Sequence, residues 1–278
     1  IPNLPVQWKG KQIALITDMQ TGMWLDNEDT VRRIIKRIVK EAPAAVLIGG
    51  DFIYNPTEDD SKAEAREEYG EEEETKTREL IQKVIRNLDP LIEAGLPVYA
   101  VFGNHDYAME TQKALKLSWV AGELRAALKE AGIKVLQNEF AELKGKTVAG
   151  ENQFLYIVGI GAYYPGEDNV KKAFFGLPNN APRVVLMHNP QSFKTIPPNQ
   201  APLAMAGHTH GGQIQIPYLP SWSWISIVKE GEVHADGWIR NYGQTGNYLY
   251  VNRGIGFSLV PIRINCLPEI TYFTLTGD

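Results

Sequence analysis

The sequence predicts an α/β fold in which short buried strands alternate with amphipathic helices. Short apolar runs stop abruptly at glycine or polar residues, as in 97–102, which is followed by Gly-Asn-His-Asp at 103–106. Such runs are typical of buried strands. Between them, apolar residues recur at helical spacing, as in 29–42 and 80–92, which is the pattern of helices that cover a sheet.

Five of these runs end in side chains that can bind a metal or transfer a proton. The runs are 11–17, 44–48, 97–102, 183–187 and 201–206, and the side chains after them are Asp18, Gln20, Asp51, Asn104, His105, Asp106, His188, His208 and His210. In open α/β sheets, ligands bind at the carboxyl ends of the strands. We therefore expect these nine side chains to converge along one sheet edge.

The histidine count strengthens this expectation. The chain has five histidines, and only His234 lies outside the strand-end positions. A single histidine at such a position is more often a hydrogen-bonded core or surface residue than a ligand. Four in this order, interleaved with aspartates, favour a metal centre.

The order of the motifs resembles the calcineurin-like metallophosphoesterase superfamily of two-metal hydrolases. The motifs are Asp18, Gly-Asp at 50–51, Gly-Asn-His-Asp at 103–106, His188 and Gly-His-Thr-His at 207–210. The segments 207–213, 252–256 and 261–269 resemble more narrowly a bacterial phosphohydrolase subgroup that is often tethered to membranes. The resemblance, which runs from about Lys11 to the C-terminus, implies a four-layer α/β/β/α sandwich of two mixed sheets flanked by helices.

The resemblance also implies a ligand set for two divalent ions that share Asp51. The first ion would be held by Asp18, Asp51 and His210, and the second by Asp51, Asn104, His188 and His208. Mixed nitrogen and oxygen ligands favour Mn²⁺, with Zn²⁺, Fe or Mg²⁺ as alternatives. His105 would protonate the leaving group or bind a phosphoryl oxygen, and Asp106 would orient its imidazole.

Gln20 departs from the family pattern, which has a histidine at this position. A glutamine offers a neutral carbonyl oxygen, which is a harder and weaker ligand than imidazole. We expect Gln20 to bind the first metal more loosely, or not to be a ligand at all.

These residues predict a metal-dependent phosphoesterase that uses a metal-bridging hydroxide. The resemblance favours a phosphodiester or pyrophosphate bond in a small-molecule or lipid-linked substrate. Two alternatives remain, a phosphomonoesterase and a catalytically weak metal-binding interaction module. Only Gln20 argues for the module, whereas His105 and Asp106 argue against it.

Length alone allows two domains, but the strand-end motifs are spread over residues 18–210 and must converge, which predicts a single domain over residues 1–278. A charged insertion is expected at about 55–77. The chain has 44% apolar and 22% charged residues, as in ordinary globular proteins. Its net charge of −5 gives no basic surface for duplex nucleic acid. Because the chain opens at Ile1, we expect that an N-terminal segment was removed, which would indicate a bacterial membrane-associated or exported protein. Without such a removal, we expect a cytoplasmic one.

Three loop regions allow two interpretations each. The acidic insertion is either a solvated surface or a lid over the site. Tyr163 and Tyr164 either pack beneath a loop or form an aromatic wall for substrate. The aromatic stretch 218–225 is either core or an interfacial patch for peripheral membrane contact.

The segments 248–252 and 269–276 are expected to be closing strands of the second sheet.

Overall fold

The computed structural model describes residues 1–23, 27–56, 70–145, 154–216, 219–223, 236–239, 242–258 and 261–277. The helices are α1 (Glu28–Glu41), α2 (Glu71–Glu93), α3 (Ser118–Glu130) and α4 (Val170–Ala173). The strands are β1 (Gln12–Ile16), β2 (Ala45–Ile48), β3 (Val98–Ala100), β4 (Lys134–Val135), β5 (Glu139–Lys144), β6 (Phe154–Gly159), β7 (Arg183–Leu186), β8 (Ala204–Ala206), β9 (Gln215–Ile216), β10 (Leu219–Ser223), β11 (Gly237–Ile239), β12 (Leu249–Val251) and β13 (Thr271–Thr274).

Two mixed sheets form the centre of the fold, as the resemblance implies. The first has the order β13-β1-β2-β3-β4, in which β1 to β4 are parallel and β13 is antiparallel to β1. The second has the order β11-β12-β8-β7-β6-β5, with antiparallel strands only at its two edges. The prediction that 269–276 closes the second sheet is wrong, because β13 pairs with β1 of the first.

The apolar side chains of each strand divide between two cores, which produces four layers. Ile13 and Leu15 of β1 pack between the sheets, together with Leu186 of β7. Ala14 and Ile16 point the other way, into the core formed with helices α1 to α3. The outer face of the second sheet packs against a third cluster that includes residues of α4 and of the 3₁₀ segment Pro190–Thr195. Burial on both faces explains why these strands are continuously apolar.

The helices confirm the helical periodicity of the sequence. The buried residues of α1 are Val31, Ile34, Ile35 and Ile38. Helix α2 begins at Glu71, well before the periodic stretch at 80–92, and its first turn is the acidic cluster 71–74. Carboxylates are favourable there because the helix dipole is positive at its N-terminus. Residues 57–69 of the insertion lie outside the described residues. So do residues 218, 224 and 225 of the aromatic stretch, whose residues 219–223 form β10.

In the part of the chain that the structure describes, every helix is too short or too polar to cross a membrane.

Candidate metal centre

Two groups of potential metal ligands meet where the strands of both sheets end. One group is Asp18, Asp51 and His210, the other is Asp51, His188 and His208, and the donor atoms of each group lie within 4.8 Å of one another. Asp51 belongs to both groups. Residues 18 and 51 follow strands of the first sheet, and the three histidines follow strands of the second. The structure thus brings five of the nine side chains together, but they follow strands of two sheets, so the expectation of one sheet edge is wrong.

The backbone at the centre is strained in a way that redirects the side chains. Residues in the left-handed region include Asp18, Gln20, Asp51, His208 and His210, with φ between 51° and 73°. Such conformations cost about 1–3 kcal/mol each, and they persist when the surrounding structure fixes them. The strands thus end in tight turns that aim the ligand groups at a common point.

Two glycines make room for the carboxylates of the centre. A Cβ atom at Gly103 would collide with Asp51 Oδ1, and one at Gly207 would lie 2.5 Å from Asp18 Oδ2. The carboxylate of Asp18 accepts hydrogen bonds from the Thr17 hydroxyl and from the His208 backbone N–H. The glycines of the sequence motifs are therefore needed for close packing against the ligands.

Asp51 is held from several sides. Its Oδ1 accepts the backbone N–H of His105 at 3.0 Å, and its Oδ2 lies 3.1 Å from both Gln20 Nε2 and His188 Nε2. Burial would raise the pKa of Asp51, but the charges of His188 and His105 outweigh burial and hold that pKa below its usual range. The side chain is therefore an anion placed between the two ligand groups.

Two buried amide oxygens indicate whether cations fit this centre. Asn104 donates its Nδ2 to the backbone oxygen of Met109 at 2.6 Å, while its Oδ1 is buried without a hydrogen-bond partner among the described residues. Gln20 Oε1 is also buried and has no hydrogen-bond partner among the described residues. Unsatisfied buried oxygens are rare and costly, and a cation would satisfy them. The residues present thus fit a pair of divalent ions.

The histidines differ in how they are held. His188 Nδ1 lies 2.7 Å from the Gly49 backbone oxygen, which leaves Nε2 facing Asp51. Burial would lower the pKa of His188, but the Asp51 carboxylate raises it to about 9, and a bound cation would take the place of that proton. Burial lowers the pKa of His210 to about 4, which keeps this imidazole in the neutral form that binds metals.

Asp106 does not orient His105, contrary to the sequence-based expectation. Its Oδ2 accepts the backbone N–H groups of Asp51 at 2.9 Å and Gly103 at 2.8 Å, and its Oδ1 accepts that of Phe52 at 2.8 Å. His105 Nδ1 is buried with no hydrogen-bond partner in the described ranges. Burial and the neighbouring Asp51 carboxylate raise the pKa of Asp106 to about 7. Asp106 thus links two turns through their backbone N–H groups: the turn that contains Asp51 and the turn that contains Asn104.

Three residues that belong to no sequence motif border the centre. The ring of Tyr54 lies 4.9 Å from the ring of His105, measured between centroids. Glu110 Oε2 lies 3.8 Å from His105 Nε2. Tyr164, for which the sequence left two interpretations open, packs edge-on against His208 at 4.7 Å. The first two were missed, and their only signal is that each lies three or four residues after a motif aspartate.

The C-terminal segment supports the turn that carries His210. Arg263 donates hydrogen bonds to the backbone oxygens of His210 at 3.2 Å and of Arg253 at 2.8 Å. The thiol of Cys266 also contacts the His210 oxygen, at 3.3 Å. Residues more than fifty positions after His210 thus hold its backbone in place.

The profile of the calcineurin-like phosphoesterase family matches residues 11–212. The chain belongs to this family. The phosphoesterase is 35% identical over 188 residues to phosphodiesterase YaeI of Escherichia coli, covering 68% of this chain and 61% of that protein, which is less than two thirds of its length. It is 26% identical over 273 residues to the uncharacterized metallophosphoesterase YkuE of Bacillus subtilis, covering 98% and 81% of the two chains. It is 24% identical over 307 residues to UDP-2,3-diacylglucosamine pyrophosphatase LpxG of Chlamydia trachomatis, covering 96% and 85%.

Family membership confirms three sequence-based predictions for the phosphoesterase. It belongs to a family of phosphoesterases, it has the α/β fold of two mixed sheets, and its family uses divalent metals. The matched region contains both ligand groups and ends two residues after His210. The supporting Arg263 and Cys266 lie beyond that region.

Proposed function

We propose that this phosphoesterase hydrolyses a phosphodiester or pyrophosphate bond at a centre for two divalent ions. The observation that carries the proposal is Asp51, a buried carboxylate shared by two ligand groups. The buried Asn104 oxygen, which has no hydrogen-bond partner within the described ranges, accompanies it. When bound, two such ions activate a water molecule and neutralise charge on the phosphoryl oxygens. The relatives named phosphodiesterase and pyrophosphatase support the type of bond.

The protein side chains have separate roles in this proposal. Asp18, Asp51, Asn104 and the three histidines 188, 208 and 210 hold the ions. His105 donates a proton to the leaving oxygen or a hydrogen bond to a phosphoryl oxygen. Tyr54 packs against His105 and Tyr164 against His208, so both rings border the centre.

We further propose that the substrate is amphiphilic and that the protein contacts a membrane surface to reach it. A relative named for a diacylated nucleotide sugar supports this substrate class. Ile262, Ile264 and Leu267 are 50%, 49% and 73% exposed, and they lie on the C-terminal segment that supports the His210 turn. Contiguous exposed apolar patches are one mark of membrane contact, and these three side chains are our candidates for such a patch.

Metal reconstitution tests the proposed function. Chelator-stripped protein supplied with Mn²⁺, Zn²⁺ or Mg²⁺ is expected to hydrolyse bis(p-nitrophenyl) phosphate faster than p-nitrophenyl phosphate, with Mn²⁺ most effective. A long-chain alkyl p-nitrophenyl phosphodiester should react faster than the soluble diester. Equal rates on the two diesters would contradict the proposal that the substrate is amphiphilic. An absence of turnover with every metal would contradict the hydrolase and favour a metal-binding interaction module.

Gln20→His is expected to tighten binding of the first metal by about 10- to 100-fold, because imidazole is the stronger ligand for these ions. Gln20 Nε2 lies 3.1 Å from Asp51 Oδ2 and 3.4 Å from His210 Nε2, so a histidine here would enter the first group. Competition with a fluorescent chelator measures the affinity. Gln12→His on β1, whose side chain pairs with Thr274, is the control. An affinity equal to that of wild type would show that position 20 is not a ligand position.

A further inference from the structure

The carboxylate of Glu110 lies beside the metal centre, and the proposed hydrolysis assigns it no role. Its side chain is 24% exposed, and Oε2 is buried without a hydrogen-bond partner in the described part of the chain. The distance of 3.8 Å to His105 Nε2 is too long for a hydrogen bond. Glu110 belongs to neither ligand group. It is thus a carboxyl group that faces His105 from outside both ligand groups.

The Tyr54 hydroxyl is a neighbour of the Glu110 carboxyl group. Burial, the charge of Glu110 and a hydrogen bond to it raise the pKa of Tyr54 above its usual range. Because the Tyr54 ring also packs on His105, the three side chains form one contiguous group. The charge of Glu110 also contributes to the raised pKa of Tyr164, after burial and Asp51. Glu110 therefore acts electrostatically on the part of the site where Tyr164 meets His208.

A substrate phosphoryl group that reaches both His105 and the ligand groups must lie near this carboxylate. The phosphate group of a diester carries one negative charge, whereas that of a monoester carries close to two at neutral pH. In a partly buried site, one extra like charge a few ångströms from a carboxylate weakens binding by about 10- to 100-fold. The same repulsion acts on free phosphate and on the monoester product of diester cleavage.

We propose that Glu110 is a specificity-determining residue that excludes terminal phosphate groups from the centre and so restricts it to internal phosphoester bonds. This inference rests on the proposed function, because it assigns the diester preference to one side chain. It also gives Glu110 a role in product release, since each cleaved diester leaves a terminal phosphate that the carboxylate repels.

Glu110→Gln tests the proposal, because it removes the charge and keeps the size of the side chain. Metal-loaded variant protein is expected to bind inorganic phosphate about 10- to 100-fold more tightly than wild type, while its affinity for dimethyl phosphate changes less than about threefold. The ratio of kcat/KM for diester over monoester should fall by the same factor, mainly through the KM of the monoester. Metal content should equal that of wild type. Since phosphate binding needs no turnover, it gives an answer even if the proposed hydrolysis fails.

Two further variants keep the test decisive. Glu123→Gln removes one surface carboxylate that pairs with Arg78, and it should leave both affinities unchanged. Glu110→Asp retains the charge and should retain the discrimination against phosphate. An unchanged ratio of phosphate to dimethyl phosphate affinity in Glu110→Gln would overturn the proposal. So would an equal loss of discrimination in Glu110→Asp, since this would indicate packing instead of charge.

Discussion

Asp51→Asn is expected to release both metal ions and to lower kcat/KM for a diester by about 10³-fold or more. Asp51 is the one residue common to the two ligand groups of the described chain. An asparagine keeps the oxygen that accepts the His105 backbone N–H at 3.0 Å. It replaces the second oxygen, which faces Gln20 and His188, with an NH₂ group that cannot bind a cation. The fold should therefore persist while both metal sites fail.

Metal content after gel filtration is the direct measurement for Asp51→Asn. Asp29→Asn is a matched control, because it removes an exposed carboxylate that pairs with Arg32 on α1 and should keep two ions per chain. A circular dichroism spectrum equal to that of wild type would show that the loss is local. Retention of two ions by Asp51→Asn would contradict the shared role of this carboxylate.

The position of the metal centre was predictable because it depends on where strands end. Each ligand follows an apolar run, and the carboxyl ends of parallel strands bring distant residues together. The division into two sheets was available only through the family resemblance, since Asp51 and His188 follow strands of the same apolar character. The place of β13 was mispredicted for a similar reason. A short antiparallel strand with residues such as Tyr272 and Phe273 can join either sheet edge, and nothing local distinguishes the two.

The surroundings of His105 were not predictable, because they depend on side-chain directions within irregular turns. His105 and Asp106 are adjacent in one 3₁₀ turn, yet Asp106 faces the backbone of the β2 turn while His105 faces Tyr54 and Glu110. Sequence proximity suggested a contact between the two that the turn geometry does not allow. Glu110 carries no motif, and its approach to the site follows from the path of the chain after the turn.

His105→Asn is expected to lower turnover of a diester by about 10²- to 10⁴-fold while metal content stays at the wild-type level. Only the imidazole is lost, because the contact of residue 105 with Asp51 Oδ1 comes from its backbone N–H. The imidazole is 4% exposed, and its Nδ1 has no hydrogen-bond partner among the described residues.

The leaving group distinguishes the two roles proposed for His105. If the imidazole protonates the leaving oxygen, the loss in His105→Asn should be much smaller for a p-nitrophenyl diester than for an alkyl diester, because p-nitrophenolate leaves without a proton. Equal losses would assign His105 to a phosphoryl oxygen instead. His234→Asn, at the one histidine outside the motifs, should affect neither substrate. Full activity of His105→Asn on both diesters would remove the imidazole from the reaction.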